Sequence, residues 1–188
     1  MLILRKGNLE IASFDYVNKK ISYITNNTLE KVLSVYKPVS LFKLDENSNL
    51  WISDYAGNLC KYNTINNTVT DYSFLHAQEK SKKAYANYVI HDMLDEGKGT
   101  TIWFCGENTG MLAYNISTGL FTTIKFDNGS EYGLHYDQTI YSLFKDHEGN
   151  IWVDTDLGMN IFNPGLQKFK YIDQNTPLLQ QSKPNVTD

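Results

Sequence analysis

Trp51, Trp103 and Trp152 stand 52 and 49 residues apart, and each sits in the same local pattern. An apolar stretch runs into an acidic, turn-like segment, followed by an apolar residue, Trp and a second apolar residue. Then come a polar turn, a Gly, and an aromatic residue followed by Asn. The anchors are Asp45, Trp51, Gly57 and Tyr62 with Asn63 in the first unit, and Asp95, Trp103, Gly110 and Tyr114 with Asn115 in the second. In the third they are Asp146, Trp152, Gly158 and Phe162 with Asn163. Self-similarity at a spacing of about 40–50 residues marks a repeat architecture, and it constrains the fold more than any composition figure.

Each unit reads as four short strands, A to D. Its apolar residues are β-branched or aromatic, alternate or run in short blocks, and are separated by Asx and Gly turns. Strand B carries the Trp. The B–C turn closes on Gly57, Gly110 or Gly158, where a positive φ or a close approach favours a residue without Cβ. The Asn ending strand C is placed to cap the C–D turn. A four-stranded meander of this length is a propeller blade. The expected fold is therefore all-β, a partial β-propeller of about three and a half four-stranded antiparallel blades. The half blade covers 2–25, as strands C and D. The whole blades cover 39–74, 88–126 and 140–172, and a tail covers 173–188.

Charge and cysteine usage narrow the function. Lys and Arg number 17 against 21 Asp and Glu, and the formal net charge is −4. A nucleic-acid face needs clustered positive charge, so no nucleic-acid partner is expected. No run approaches 18 apolar residues, so this segment is not expected to contact a membrane. Cys60 and Cys105 fall in different units and read as packing thiols. A disulfide between them requires Cα atoms within about 7 Å. His76, His91, His135 and His147 lack metal-ligand spacing. Neither a metal nor a cofactor is expected.

Unit three, Ile140 to Phe162, resembles the two-component regulator propeller repeat. It has an Asp, a Gly-Asn-Ile-Trp-Val run, a Thr-x-x-Gly turn, and an aromatic with Asn. Unit one is a fair match, and unit two is stretched by insertions at 97–101 and 107–109. The repeat usually carries Gly two residues after Trp, where this chain has Ser53, Cys105 and Asp154. The resemblance implies the periplasmic sensor region of Bacteroides-type hybrid two-component systems, which detect glycan fragments and signal to a histidine kinase. It also implies more blades than this chain holds. The expected partners are an oligosaccharide, and the remaining blades of a longer sensor or a second copy of the chain.

No set of residues reads as catalytic, so the segment is expected to bind rather than react. Asp146, His147 and Glu148 resemble an acid–base cluster, but acidic pairs recur at Asp45-Glu46 and Asp95-Glu96, so they read as a turn device. The tryptophans read as packing between blades, each indole N–H finding a carbonyl. Binding is expected on loops carried by the rigid scaffold. The D–A and B–C connections share one side of a blade. They hold Tyr55, Tyr85, Tyr88, Glu131, Tyr132, His135, Tyr136 and Asp137, whose aromatic faces and polar tips suit sugar hydroxyls. Asp54, Glu107, Asn108 and Asp156 join them from the B–C turns. A protein-interaction scaffold without a small ligand is the alternative. An enzyme is a distant third, because no paired carboxylates, metal set or nucleophile converge.

Overall fold

The computed structural model describes residues 2–5, 10–24, 27–33, 38–72, 89–97, 99–124, 133–135, 139–166 and 168–172. Its contacts divide the chain into two compact units, Met1–Ile90 and His91–Asp188.

The first unit holds two antiparallel meanders. One consists of β1 (Leu2–Arg5), β2 (Glu10–Asp15) and β3 (Lys20–Ile24) in that order. The sequence pattern had indicated two strands here. The third is β1, which pairs Leu2 with Ser13 and Arg5 with Glu10. A four-residue strand with no Gly or Asx boundary inside it gives little signal. A short helix, α1 (Asn27–Val32), follows, and it too lies outside the strand pattern. Six residues are too few for an amphipathic period to show.

The second meander is β4 (Val39–Leu44), β5 (Asn49–Asp54), β6 (Leu59–Asn63) and β7 (Thr68–Asp71), in chain order. One of its faces packs Leu50, Ile52, Cys60 and Tyr62 against Ile11, Leu29 and Leu33. On the opposite face Trp51 is fully buried and stacks on Tyr72, with ring centroids 5.5 Å apart.

The second unit contains β8 (Val89–Asp95, whose first two residues fall in the first unit), β9 (Thr101–Glu107), β10 (Gly110–Asn115) and β11 (Leu120–Ile124). Then follow β12 (Ile140–Lys145), β13 (Ile151–Thr155), β14 (Gly158–Asn163) and β15 (Lys168–Ile172). These form two four-stranded antiparallel sheets, each in chain order. Alternation along the strands sends Trp103, Cys105 and Met111 to one side of the first sheet. They interlock with Ile140, Leu143, Ile151, Val153, Phe162 and Phe169 of the second. Trp103 meets Phe162 edge-on at 5.1 Å, so this tryptophan packs between blades. Burying one such side chain stabilises the fold by roughly 1.5–3 kcal/mol. Asp92 adds a polar tie. Its carboxylate accepts the Leu143 amide at 3.0 Å, joining the two inner strands.

The acidic turns hold the tryptophans directly. Asp45 accepts the Trp51 indole N–H at 2.9 Å, and Asp146 accepts that of Trp152 at 2.9 Å. The partner is thus a carboxylate, where the sequence suggested a carbonyl. The same carboxylates gather the turn amides. Asp45 takes those of Asn47 and Asn49, and Asp146 takes those of Glu148 and Asn150. The Trp152 bond leads in holding the Asp146 carboxyl down at about 2. In the stretched second blade Glu96 replaces the Asp and accepts the Trp103 indole at 2.6 Å.

Candidate functional site

The inner strands of the first and third whole blades carry the same irregularity. The β4–β5 register shifts between Val39 and Leu41, and the β12–β13 register between Ile140 and Ser142. The unpaired residue is Ser40 in one and Tyr141 in the other. Such a bulge re-aims its side chain. The Ser40 hydroxyl is buried with no hydrogen-bond partner, whereas Tyr141 is 51% exposed.

Tyr141 anchors a cluster within the second unit. Its hydroxyl donates to Asp156 in the B–C turn at 2.6 Å, and the Thr139 amide donates to the other oxygen of that carboxylate at 2.9 Å. The Asp156 amide returns a bond to the Thr139 carbonyl at 3.4 Å. A bridge between Glu107 and Thr139 brings in the neighbouring B–C turn. The His91 ring lies nearly parallel to that of Tyr141, with centroids 6.4 Å apart. The Asp156 hydrogen bond, followed by its charge and those of Asp154 and Glu107, raises the Tyr141 pKa. The phenol therefore stays neutral and keeps its proton on the Asp156 bond. The result is an open aromatic face ringed by acceptors, with an imidazole at its edge. Sequence reasoning named Glu107 and Asp156 but passed over Tyr141 and His91, because both read as ordinary strand residues. The break in alternation at Tyr141 was the signal available.

Of the eight predicted loop residues, Tyr55 and His135 are described. His135 is held outside this cluster. Its amide donates to the Asn160 side chain at 2.9 Å and its carbonyl accepts from the same carboxamide at 2.7 Å. Its ring stacks on Tyr171 at 5.1 Å, and neighbouring Leu134 is fully buried in the core. Tyr55 belongs to the first unit, 43% exposed, with its amide donating to the Pro38 carbonyl at 3.0 Å. Asp54 beside it is fully buried and accepts the Ala56 and Asn58 amides and the Asn58 carboxamide, a turn-capping role. Tyr85, Tyr88, Glu131, Tyr132, Tyr136 and Asp137 lie outside the described residues.

Gly57, Gly110 and Gly158 have φ of 83°, 62° and 142°. At Gly158 an added Cβ would stand 2.7 Å from the Ile172 carbonyl oxygen, so this turn demands glycine sterically as well as conformationally. Of the positions two residues after each Trp, Ser53 is buried with an unpartnered hydroxyl and Cys105 packs into the core. Asp154 is half-buried and bears on Tyr141. Cys60 and Cys105 are both buried free thiols, and burial, followed by the charges of Asp71 and Asp54, pushes Cys60 up to about 12. Among the described residues no His, Cys, Asp and Glu group is arranged to hold a metal ion. No helix among them is long and apolar enough to cross a membrane.

Residues 137–156, spanning Thr139, Tyr141 and the Asp156 turn, match the family model for the two component regulator propeller. The two-component regulator propeller repeat is present in this chain. Solved structures share its architecture. The extracellular domain of a protein described as a one component system from B. thetaiotaomicron matches with a TM-score of 0.63 at 14% identity. The match covers 91% of this chain and 20% of that one. The extracellular domain of a protein described as a hybrid two component system from the same organism matches with a TM-score of 0.59 at 18% identity. It covers 73% of this chain and 18% of that one. The WD40 repeats of RRP9 match with a TM-score of 0.52 at 9% identity, over 74% of this chain and 39% of theirs. At such identities the likeness is one of fold, and the fold is a partial β-propeller. The chain spans about a fifth of each bacterial domain. No curated protein sequence matches it.

Proposed function

We propose that this chain is part of a ligand-sensing propeller facing the periplasm, that it binds without catalysing, and that its ligand is an oligosaccharide. The Tyr141–Asp156–His91 cluster carries this reading. An exposed phenol face suits the apolar face of a pyranose, while Glu107, Asp154 and Asp156 offer acceptors to its hydroxyls. Three carboxylates around one tyrosine disfavour an anionic ligand, so a neutral glycan fits better than a uronate or a sulfated sugar. The repeat match and the extracellular placement of the two bacterial neighbours support a sensor that passes its signal to a kinase elsewhere in a longer protein.

Calorimetry of the purified chain against neutral and acidic oligosaccharides tests this. Binding of a neutral glycan, weakened by Tyr141→Ala and by Asp156→Asn with circular dichroism unchanged, is the expected result. Preference for acidic glycans, or affinity indifferent to both substitutions, would overturn it.

A second reading rests on the outer face of the β12–β15 sheet. Register places Phe144, Trp152, Met159 and Ile161 on one side, with Phe144 65% and Met159 37% exposed. That surface suits another blade, from the same sensor or from a second copy of the chain. Sedimentation of the chain and of Phe144→Glu separates the readings, since only self-pairing gives a dimer that the substitution dissolves.

A further inference from the structure

Each sheet ends on an outer strand, β3, β7, β11 or β15, whose far edge meets no other strand among the described residues. Such an edge offers unpaired N–H and C=O groups to any extended chain, and proteins commonly blunt it with charge. Three of these outer strands carry that charge. β3 opens on Lys20, β7 closes on Asp71, and β15 holds Lys168 and Lys170. β11 reads Leu-Phe-Thr-Thr-Ile from Leu120 to Ile124. It has no charged residue, and every position after the first is aromatic or β-branched, which favours an extended chain.

The β11 edge is also open to approach. Thr122 and Thr123 are exposed, and Leu120 is 67% exposed. Thr122, Thr123 and Ile124 border a groove of about 770 Å3 that Pro164 and Gly165 also line, so there is room beside the strand. Register puts Leu120, Thr122 and Ile124 on the sheet face of Trp103 and Ala113, and Phe121 and Thr123 on the opposite face.

We infer that β11 is a pairing edge for a second copy of this chain. Two β11 strands run antiparallel about a two-fold axis at Thr122 and join two middle blades into one continuous sheet. The strand is self-complementary in that register. Thr122 meets Thr122, Leu120 meets Ile124, and Phe121 meets Thr123, which are the threonine, aliphatic and aromatic–β-branched cross-strand pairs that stabilise sheets. The exposed Leu120 side chain is thereby covered. The same arrangement of two β15 strands would set Lys170 against Lys170, and like charges directly opposite are unfavourable. The interface is isologous, so it closes at two copies and uses up the edge. The inference concerns a strand edge and requires neither the Tyr141 cluster nor the outer face of the β12–β15 sheet.

Cysteine crosslinking of the full chain reads the register. Directly opposed residues of an antiparallel pair have Cα atoms about 4.5–5.5 Å apart, within disulfide reach. The native Cys60 and Cys105 are buried and stay out of the reaction. Only the residue on the axis meets its own copy, so Thr122→Cys should form a disulfide dimer under mild oxidation. Leu120→Cys and Ile124→Cys should crosslink when mixed and far less when oxidised separately. Thr70→Cys controls for chance collision, because Thr70 is exposed on β7 at the register position equivalent to Thr122. Sedimentation of the unsubstituted chain should show a dimer that Thr122→Lys dissolves and Phe144→Glu preserves. Thr122 is exposed, so its variants should keep the native circular dichroism. The inference is overturned if Thr122→Cys crosslinks no faster than Thr70→Cys, if the mixed variants crosslink no better than either alone, or if a dimer survives Thr122→Lys.

Discussion

Replacing Asp45 by asparagine tests the carboxylate–indole device at its most buried example. Asp45 is 8% exposed and Trp51 fully buried, whereas Trp152 is only half-buried. Both Asp45 oxygens are engaged. Oδ1 accepts the amides of Asn47 and Asn49, and Oδ2 accepts the Trp51 indole and the Asn49 carboxamide. Asparagine keeps the shape but turns one oxygen into a donor, which must then face other donors. Facing the indole, it strands a buried N–H at a cost of about 1–3 kcal/mol. Facing the turn, it strands two amides that water can reach, at a lower cost each. The weakened acceptor charge adds about 0.5–1 kcal/mol, so the expected loss is about 2–3 kcal/mol. Trp51→Phe removes the indole donor, so in that background Asp45→Asn should cost only about 1 kcal/mol, a coupling of about 1–2 kcal/mol. Urea unfolding of the four proteins, followed by far-ultraviolet circular dichroism, measures the cycle. Losses that add to within about 0.5 kcal/mol would show that the two side chains act independently and would refute the reasoning.

In the third blade the Asp146 carboxyl titrates at about 2 when folded, below the ordinary carboxylate value of about 3.9. Its contribution is thus complete above about pH 4 and disappears as pH falls toward about 2, which the Trp152 indole shift should report as a titration with its midpoint near the lower value. Ser53→Ala should leave stability unchanged or raise it by up to about 1 kcal/mol in urea unfolding, because the hydroxyl it removes is buried and unpartnered. Cys60, with its thiol pushed up to about 12 and fully buried, should resist iodoacetamide at pH 8 in the native chain and react once unfolded, as read by mass spectrometry.

The tryptophan spacing made the blades legible because strand alternation, Asx turns and the glycine of the B–C turn repeat together. The partner of each indole was less legible. Asp45 and Trp51 are six residues apart in sequence, and only closure of the hairpin shows that the turn acid reaches the ring. The middle blade hid its substitute for the same reason, since Glu96 takes over only once the inserted residues lengthen the turn. Strand β1 and helix α1 were too short to leave a periodic trace. In the candidate cluster, Glu107 and Asp156 are residues the sequence reading had already placed in the B–C turns. It passed over Tyr141 because the break in alternation there carries no Gly or Pro to mark a bulge, and His135, read as a loop residue, is tied to Asn160 and stacked on Tyr171.

That bulge separates two jobs within one strand. Residues paired on either side of position 40 or 141 must keep their inward and outward alternation, since a slip would turn the whole core face outward. The residue inside the bulge is exempt. A serine there in one blade and a tyrosine in another leave the sheet register alike. The first and third whole blades thus each carry one position at which chemistry can drift without cost to the register. In a protein assembled from copies of a single unit, such positions allow identical scaffolds to acquire different tastes.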